Sequence, residues 1–543
     1  MTTSALFGRI PRWPIHPLWL ALALALYFTL FLNAQLWREL KSAQGAAGER
    51  ITLYAVGWMV GVTSVHFSLL SCVLVGRSAR WSAAALVLLS ASAAVFSAKY
   101  GVHYDKTMLR NVFNTHYSEA SELFSASMVL DVLFLGGPAL LLLMLVQVKG
   151  ETWQAYARAR LLSLLFGGVA LLGIGVLFYK DLSSHMRNHP EIRHSVIPAS
   201  ILASSLRIGG ETTHPKDLVP IGLDAHVKSG PAQQIPMLVV LVVGETVRAA
   251  NWALSGYARD TNPGLRQHKV LNFPYATTCG TNTEVSVPCM FSRQGRHDYN
   301  ETRIRTSESV LHLLSHAGIS VTWIDNQSGC KGVCKGLKTL EPVMFQASDF
   351  CKAGACLDEV LVEQLKREIF PKPKQQLIVL HQLGSHGPAY SARYPASHAR
   401  FVPDCRQTDL DKCTDQELVN AYDNTVAYTD HVLSKMIDVL KTVKDRQVAF
   451  VYLSDHGESL GEHGMYLHGL PYTIAPKEQT QVPFFMWFSE RYYEKSGTSQ
   501  DCLSRLSRHP VHHDNLFDTL IGLMGVSATE YNPDMDLIDG CRG

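Results

Sequence analysis

Hydrophobic positions follow two patterns along this chain. Up to about residue 180 they form long runs, and after about residue 230 they form short, strand-sized runs. Five early stretches approach or exceed the roughly 20 apolar residues that cross a bilayer: 17–37, 52–75, 81–98, 128–147 and 161–179. Between the third and fourth lies a polar segment, 99–127. Within it, TMLRNVFNTHYSEASELF spaces Met108, Val112 and Leu123 as a helix would. An amphipathic helix on the outer membrane face is expected there. Residues 180–234 are rich in His, Pro, Ser and Gly and read as a linker with one helix around 197–206.

From 235 onward, continuously apolar strands are expected at 236–244, 319–325, 376–383, 447–453 and 482–488. Helical patterns alternate with them at 307–317, 356–369, 415–442 and 514–524. Alternating strands and helices predict a largely parallel sheet covered on both faces. The expected architecture is a five-helix transmembrane domain (1–180), a linker (181–234) and a soluble α/β catalytic domain (235–543).

Charge placement orients the membrane half. Arg9 and Arg12, then Arg77 and Arg80, then Lys149, Arg158 and Arg160 fall on alternate connections, which the positive-inside rule puts in the cytoplasm. An odd number of spans then exports everything after about 180. A cleaved signal peptide is disfavoured, because the first run is longer than a typical signal core and four more follow. A transporter is disfavoured because the spans carry almost no charge; Asp131 sits near a helix start. The net charge of +2 says nothing about partners.

Cysteine usage gives independent support for export. Of eleven cysteines, Cys72 sits in a span as an inert packing residue, and ten lie after 275. Four pairs follow from proximity: Cys279 with Cys289, Cys330 with Cys334, Cys351 with Cys356, and Cys405 with Cys413. Cys502 with Cys541 is what remains. Such a set suggests disulfides in an oxidising compartment, and the spacings lack the paired C-x₂-C pattern of structural zinc.

Three strand-like runs end in chemistry. MLVVLVV meets Gly244-Glu245-Thr246, QLIVLHQL meets Gly384-Ser385-His386-Gly387, and QVAFVYL meets Ser454-Asp455-His456-Gly457-Glu458. Open α/β sheets place their sites at the carboxyl ends of strands. A lone Glu245 would more often cap a helix. With Asp455 and His456 it gives a mixed oxygen and imidazole set suited to Zn²⁺. The hydroxyl-rich segment 278–289 supplies a nucleophile candidate at a helix start, and spacing leaves Thr281, Thr283 and Ser286 open. His386 and His468 are candidates for a second metal, or for binding phosphate and protonating a leaving group. His463 is a weaker candidate. Lys331 lies between two paired cysteines, where it could meet phosphate; a solvated surface lysine is the bland alternative.

These residues resemble a known family. VVGETVRAANWALSGYARDTNP, TCGTNTEVSVPCMFS, DNQSGCKGVC, HQLGSHGPAY and SDHGESLGEHGMYLHGLP are similar in sequence and order to motifs of the lipid A phosphoethanolamine transferases, which include the mobile colistin-resistance enzymes. The resemblance covers nearly the whole chain. It implies an alkaline-phosphatase-like fold and a monomeric, multi-pass enzyme of the Gram-negative inner membrane with a periplasmic catalytic domain and no nucleic-acid partner. It implies zinc-dependent transfer of phosphoethanolamine from phosphatidylethanolamine to lipid A, with lowered affinity for polymyxin-like peptides. Thr283 matches the nucleophile, and Glu245, Asp455 and His456 match the other ligands of a tightly bound zinc. His386 and His468 match residues that bind the phosphoethanolamine group or a second zinc in turnover. Lys331 matches a substrate-contacting lysine, and Asn111, Thr115 and Glu119 match donor head-group contacts. Gln327 stands where some members carry asparagine. The competing readings are a transferase acting on Kdo or heptose of the inner core, a phosphoglycerol transferase, and a non-catalytic binding protein. A sulfatase is disfavoured for want of a convincing C/S-x-P-x-R motif.

Overall fold

A computed structural model of the chain describes residues 13–43, 48–115, 125–178, 182, 190–212, 217–230, 235–341, 348–352, 355–369, 375–408 and 410–542. The chain divides into two compact units, Met1–Phe113 with Phe124–Thr213, and Asn114–Leu123 with His214–Gly543.

In the first unit, four helices are long and apolar enough to cross a membrane: Leu53–Val73, Ala79–Tyr100, Ala126–Leu145 and Trp153–Leu177. The expected first span differs from a single straight helix. It is a pair, Pro17–Phe31 and Ala34–Lys41, bent by 51°. The break has a polar cause. Asn33 is buried, its amide nitrogen donates to the Phe28 and Ile197 carbonyls at 2.9 Å each, and its side-chain oxygen accepts from the Ile197 amide at 2.8 Å. Among the described residues there are therefore four helices long and apolar enough to span, or up to five if the bent pair counts as one.

Small residues let these helices approach. A Cβ at Gly167 would stand 2.3 Å from Ser68 Oγ, and the Ser71 and Ser163 hydroxyls meet at 2.7 Å. Large apolar side chains such as Phe134 and Leu177 point outward, as lipid-facing residues do. Cys72 is also exposed on its helix, which corrects its assignment as a packing residue. The polar segment holds a short helix, Lys106–Asn114, which buries Leu109 and exposes Val112 and Phe113.

The second unit is built on an eight-stranded sheet. Its strands are β1 (Met237–Gly244), β2 (Leu271–Thr277), β3 (Ser320–Asp325), β4 (Lys338–Leu340), β5 (Gln376–His381), β6 (Gln447–Ser454), β7 (Gln481–Phe488) and β8 (Val511–His512), in the order β8-β2-β7-β6-β1-β5-β3-β4. Only β7 runs antiparallel to its neighbours, β6 and β2. Every residue of β1 is buried, and the strand's period of two feeds two cores. Val239, Leu241 and Val243 enter one core with Leu516 and Leu520 of the Asn515–Leu523 helix. Leu238, Val240 and Val242 enter the other with Val426 and Leu433 of the Asp415–Lys441 helix. Residues His226–Val227 pair with Val526–Ser527, tying part of the 217–230 segment to this unit.

All ten cysteines of this unit are paired as expected. Cys279 is bonded to Cys289, Cys330 to Cys334, Cys351 to Cys356, and Cys405 to Cys413. The remaining pair, Cys502 and Cys541, is also bonded. Cys289 is buried in the Thr283–Met290 helix, so its bond to Cys279 pins the start of that helix to the loop before it. Cys351 and Cys356 close a two-stranded turn, Cys351–Lys352 against Ala355–Cys356. Cys413 lies just before the Asp415–Lys441 helix, and its bond to Cys405 fastens the approach to that helix.

Candidate metal centre and nucleophile

Sheet register brings the candidate ligands together. β1 and β6 are parallel neighbours with Gly244 opposite Ser454, so Glu245 and Asp455 leave the sheet side by side. The Asp455 amide still donates to the Gly244 carbonyl at 2.9 Å. Ligand atoms of Glu245, Asp455 and His456 all lie within 4.8 Å of one another, and all three residues are buried. His456 Nε2 stands 3.2 Å from Glu245 Oε1 and 3.3 Å from Asp455 Oδ2.

Local backbone holds these groups in place. Thr246 has φ +62°, a left-handed conformation that costs a non-glycine residue about 1–3 kcal/mol. In it, the Thr246 hydroxyl donates to Glu245 Oε1 at 2.6 Å and its amide donates to Asp455 Oδ1 at 3.2 Å. Glycine is required opposite: at Gly384 (φ +55°) a Cβ would lie 2.4 Å from the Glu245 carbonyl oxygen.

Thr283 opens the Thr283–Met290 helix, capped by Asn282, whose side chain accepts from the Val285 amide at 3.0 Å. Its hydroxyl donates to Glu245 at 3.1 and 3.3 Å and lies 3.3 Å from His456 Nε2. The other two hydroxyl candidates are engaged elsewhere. Thr281 donates to the Leu470 carbonyl at 2.6 Å, and Ser286 donates to the Asp455 carbonyl at 2.5 Å. Of the three, Thr283 is the one whose hydroxyl meets the side-chain atoms of the candidate ligands.

The donor set fits a divalent cation. The Nδ1–H of His456 donates to the Gly457 carbonyl at 2.9 Å, which leaves Nε2 to face the carboxylates. Asp455 Oδ2 is buried without a hydrogen bond among the described residues. Burial and the adjacent Glu245 charge push Asp455 up to about 6. For Glu245 burial acts upward, but His456 holds the carboxyl well below its ordinary range. For His456 burial acts downward, and Asp455 and Glu245 outweigh it, pushing the imidazole up to about 10. The pocket thus draws positive charge, and its oxygen and imidazole donors match a zinc ligand set.

The two other histidines lie close to one another, and His468 lies close to His456. The His468 ring centroid is 4.3 Å from that of His456 and 5.6 Å from that of His386. His386 Nδ1 is buried without a hydrogen bond among the described residues, and burial pushes this residue down to about 3, so it is a neutral imidazole. Lys331 (φ +50°) sits on the Cys330–Cys334 loop, and its ammonium donates to the Ser328 carbonyl at 3.0 Å. Asn111 lies in the Lys106–Asn114 helix and Thr115 follows it; Glu119 falls outside the described residues. His463 occupies a short helical turn, Glu462–Gly464.

Four residues were not read as functional from the sequence. Glu458 is fully buried, 3.4 Å from His468 Nδ1, and burial raises its carboxyl; its place in SDHGES was the available signal. Gln327 donates to Glu245 Oε2 at 3.2 Å. Behind it, Asp325 accepts from the Gln327 amide at 2.6 Å and faces His381 Nδ1 at 3.3 Å. His513 accepts from the Cys279 amide at 3.1 Å and donates to the Ser454 carbonyl at 3.0 Å, bracing the Thr283 loop against β6.

Two family models match the chain. The one described as phosphoethanolamine transferase EptA/EptB covers residues 62–212, and the one described as sulfatase covers 237–526. The chain is 39% identical over 541 residues to phosphoethanolamine transferase EptA of Escherichia coli (strain K12), covering 96% of each. It is 36% identical over 457 residues to phosphatidylethanolamine transferase Mcr-1 of Escherichia coli, covering 82% of this chain and 83% of that one. Among solved structures, the integral membrane protein lipooligosaccharide phosphoethanolamine transferase A (EptA) from Neisseria meningitidis superposes with a TM-score of 0.90 at 32% identity, over 98% of this chain and 99% of that chain.

Proposed function

This chain belongs to the phosphoethanolamine transferase family, and we propose that it moves phosphoethanolamine from phosphatidylethanolamine to a phosphate of lipid A through a covalent intermediate on Thr283. The observation that carries the nucleophile is the Thr283 hydroxyl, 3.1–3.3 Å from Glu245 and His456 at the start of a helix.

Glu245, Asp455, His456 and Thr283 would hold one zinc ion, which when bound favours the threonine alkoxide and offsets charge on phosphoryl oxygen. Thr283 Oγ1 attacks the phosphorus of the donor; a new O–P bond forms and the bond to the diacylglycerol oxygen breaks. His468 supplies the proton that diacylglycerol needs, while His386, a neutral imidazole, would bind the transferred group. Amides at the helix start would meet the phosphoryl oxygens. An acceptor phosphate oxygen then attacks the same phosphorus, and Thr283 Oγ1 leaves. His386 and His468 would bind the phosphoethanolamine group, or a second zinc in turnover.

The expected setting is the inner membrane of a Gram-negative cell, with the sheet domain in the periplasm. Five disulfides support the oxidising compartment. The added ammonium partly cancels negative charge on the acceptor, so a polymyxin-like cation binds that surface less well. The test is mass spectrometry of lipid A from Gram-negative cells expressing the chain or Thr283→Ala. Phosphoethanolamine addition with the intact chain alone is expected. Unmodified lipid A with both would contradict the reading, and addition to inner-core sugars would move the acceptor to Kdo or heptose.

A further inference from the structure

We propose that a basic cavity beside the Thr283 helix binds an anionic group of the acceptor glycolipid other than the phosphate that attacks; this rests on the transfer reading above. The cavity holds about 220 Å³ and is walled by Pro288, Arg305, Ser307, Glu308, Lys331 and Lys335. A single water needs about 10–15 Å³ of such space, so there is room for a phosphate or carboxylate on a sugar.

Cationic charge is in excess on these walls. Glu308 is the acid among the lining residues, and it is already engaged: it faces His316 Nε2 at 2.8 Å and accepts from the Ile221 amide at 3.2 Å. Arg305 is anchored by Glu284 at 3.0 Å and Glu301 at 3.2 Å. The two lysines differ. The Lys331 ammonium meets only Ser328 oxygens, and Lys335 meets no carboxylate among the described residues. Two uncompensated ammonium groups therefore share one wall.

That wall is held in shape. The Cys330–Cys334 disulfide closes the loop, and Gly329, Lys331, Gly332 and Gly336 all have left-handed φ. The Lys335 carbonyl faces His312 Nε2 at 2.9 Å, which ties the loop to the Val310–His316 helix. The opposite wall includes Pro288 of the helix that Thr283 begins. An anion held here would thus sit against the helix that carries the nucleophile. An acceptor that attacks with one phosphate and carries further anionic groups needs such cations, and charge-assisted hydrogen bonds from ammonium groups are the strong kind.

The test is steady-state transfer by the full chain in detergent, with KM taken separately for donor and acceptor. Lys335 is exposed, so its replacement spares the fold. Lys335→Gln is expected to raise KM for the acceptor roughly tenfold, Lys335→Glu further, and Lys335→Arg to restore it, while the donor's KM does not follow. Two acceptors separate the sources. An effect seen with lipid A lacking core sugars identifies a phosphate, and one seen only with the Kdo-bearing form identifies a carboxylate. Unchanged acceptor KM in both the Gln and Glu variants would overturn the proposal, as would an equal rise in the donor's KM. If the unmodified chain altered neither acceptor, the parent transfer reading would fail, and this one with it.

Discussion

The two sides of His456 differ in how fully they are held. On one side, Glu245 is gripped by Thr246, Gln327 and Thr283, and the Asp455 backbone by Gly244 and Ser286. On the other, His386 Nδ1 and Glu458 Oε1 are buried without hydrogen bonds among the described residues, and His468 is tied only by a 3.4 Å contact. Buried polar atoms are rarely left unpaired in a finished structure. The gripped side fits the proposed zinc site, with Asp455 Oδ2 the atom left open to an ion. The loose side fits the proposed place of a phosphoethanolamine group or a second ion.

Breaking the gripped side should do the greater damage. Thr283→Ala removes the proposed nucleophile, so transfer should fall by a factor on the order of 10⁴ or more, with the thermal midpoint nearly unmoved. Diacylglycerol release and a melting curve check this together. Asp455→Asn should abolish bound zinc as well as transfer, and elemental analysis of the purified chain reads the first. A chelator should do the same to the unmodified chain, with added zinc restoring it.

The loose side should fail differently. His468→Ala or His386→Ala should lower transfer by about 10²–10⁴-fold while one zinc per chain remains. Loss of the resident zinc in either variant would erase the distinction between the two sides. The smallest effect is expected behind Glu245, where Gln327→Ala should weaken zinc binding by about 10–100-fold. Competition against a calibrated chelator measures that. An unchanged affinity would show that the Gln327 contact is dispensable.

Much of this was legible in the sequence, for physical reasons. Strands such as Met237–Gly244 and Gln447–Ser454 are buried on both faces, so they read as unbroken apolar runs ending in the candidate ligands. Leu271–Thr277 was missed because Asn272 and Pro274 interrupt it and much of it is only half buried. The break in the first span was missed because a run's length does not say that Asn33 will bond across to Ile197. Spacing alone could not choose among Thr281, Thr283 and Ser286. The choice depends on the Leu470 and Asp455 carbonyls, which are distant in sequence and adjacent in space. Glu458 and His513 were missed for the same reason: each looks ordinary until its burial is known.

The most direct test of the central claim is peptide mass mapping of the purified chain after incubation with phosphatidylethanolamine in the absence of acceptor. The account predicts a phosphoethanolamine adduct on Thr283, formed along with released diacylglycerol and lost when lipid A is added. Diacylglycerol release with Thr283 unmodified, or an adduct on another residue, would contradict it.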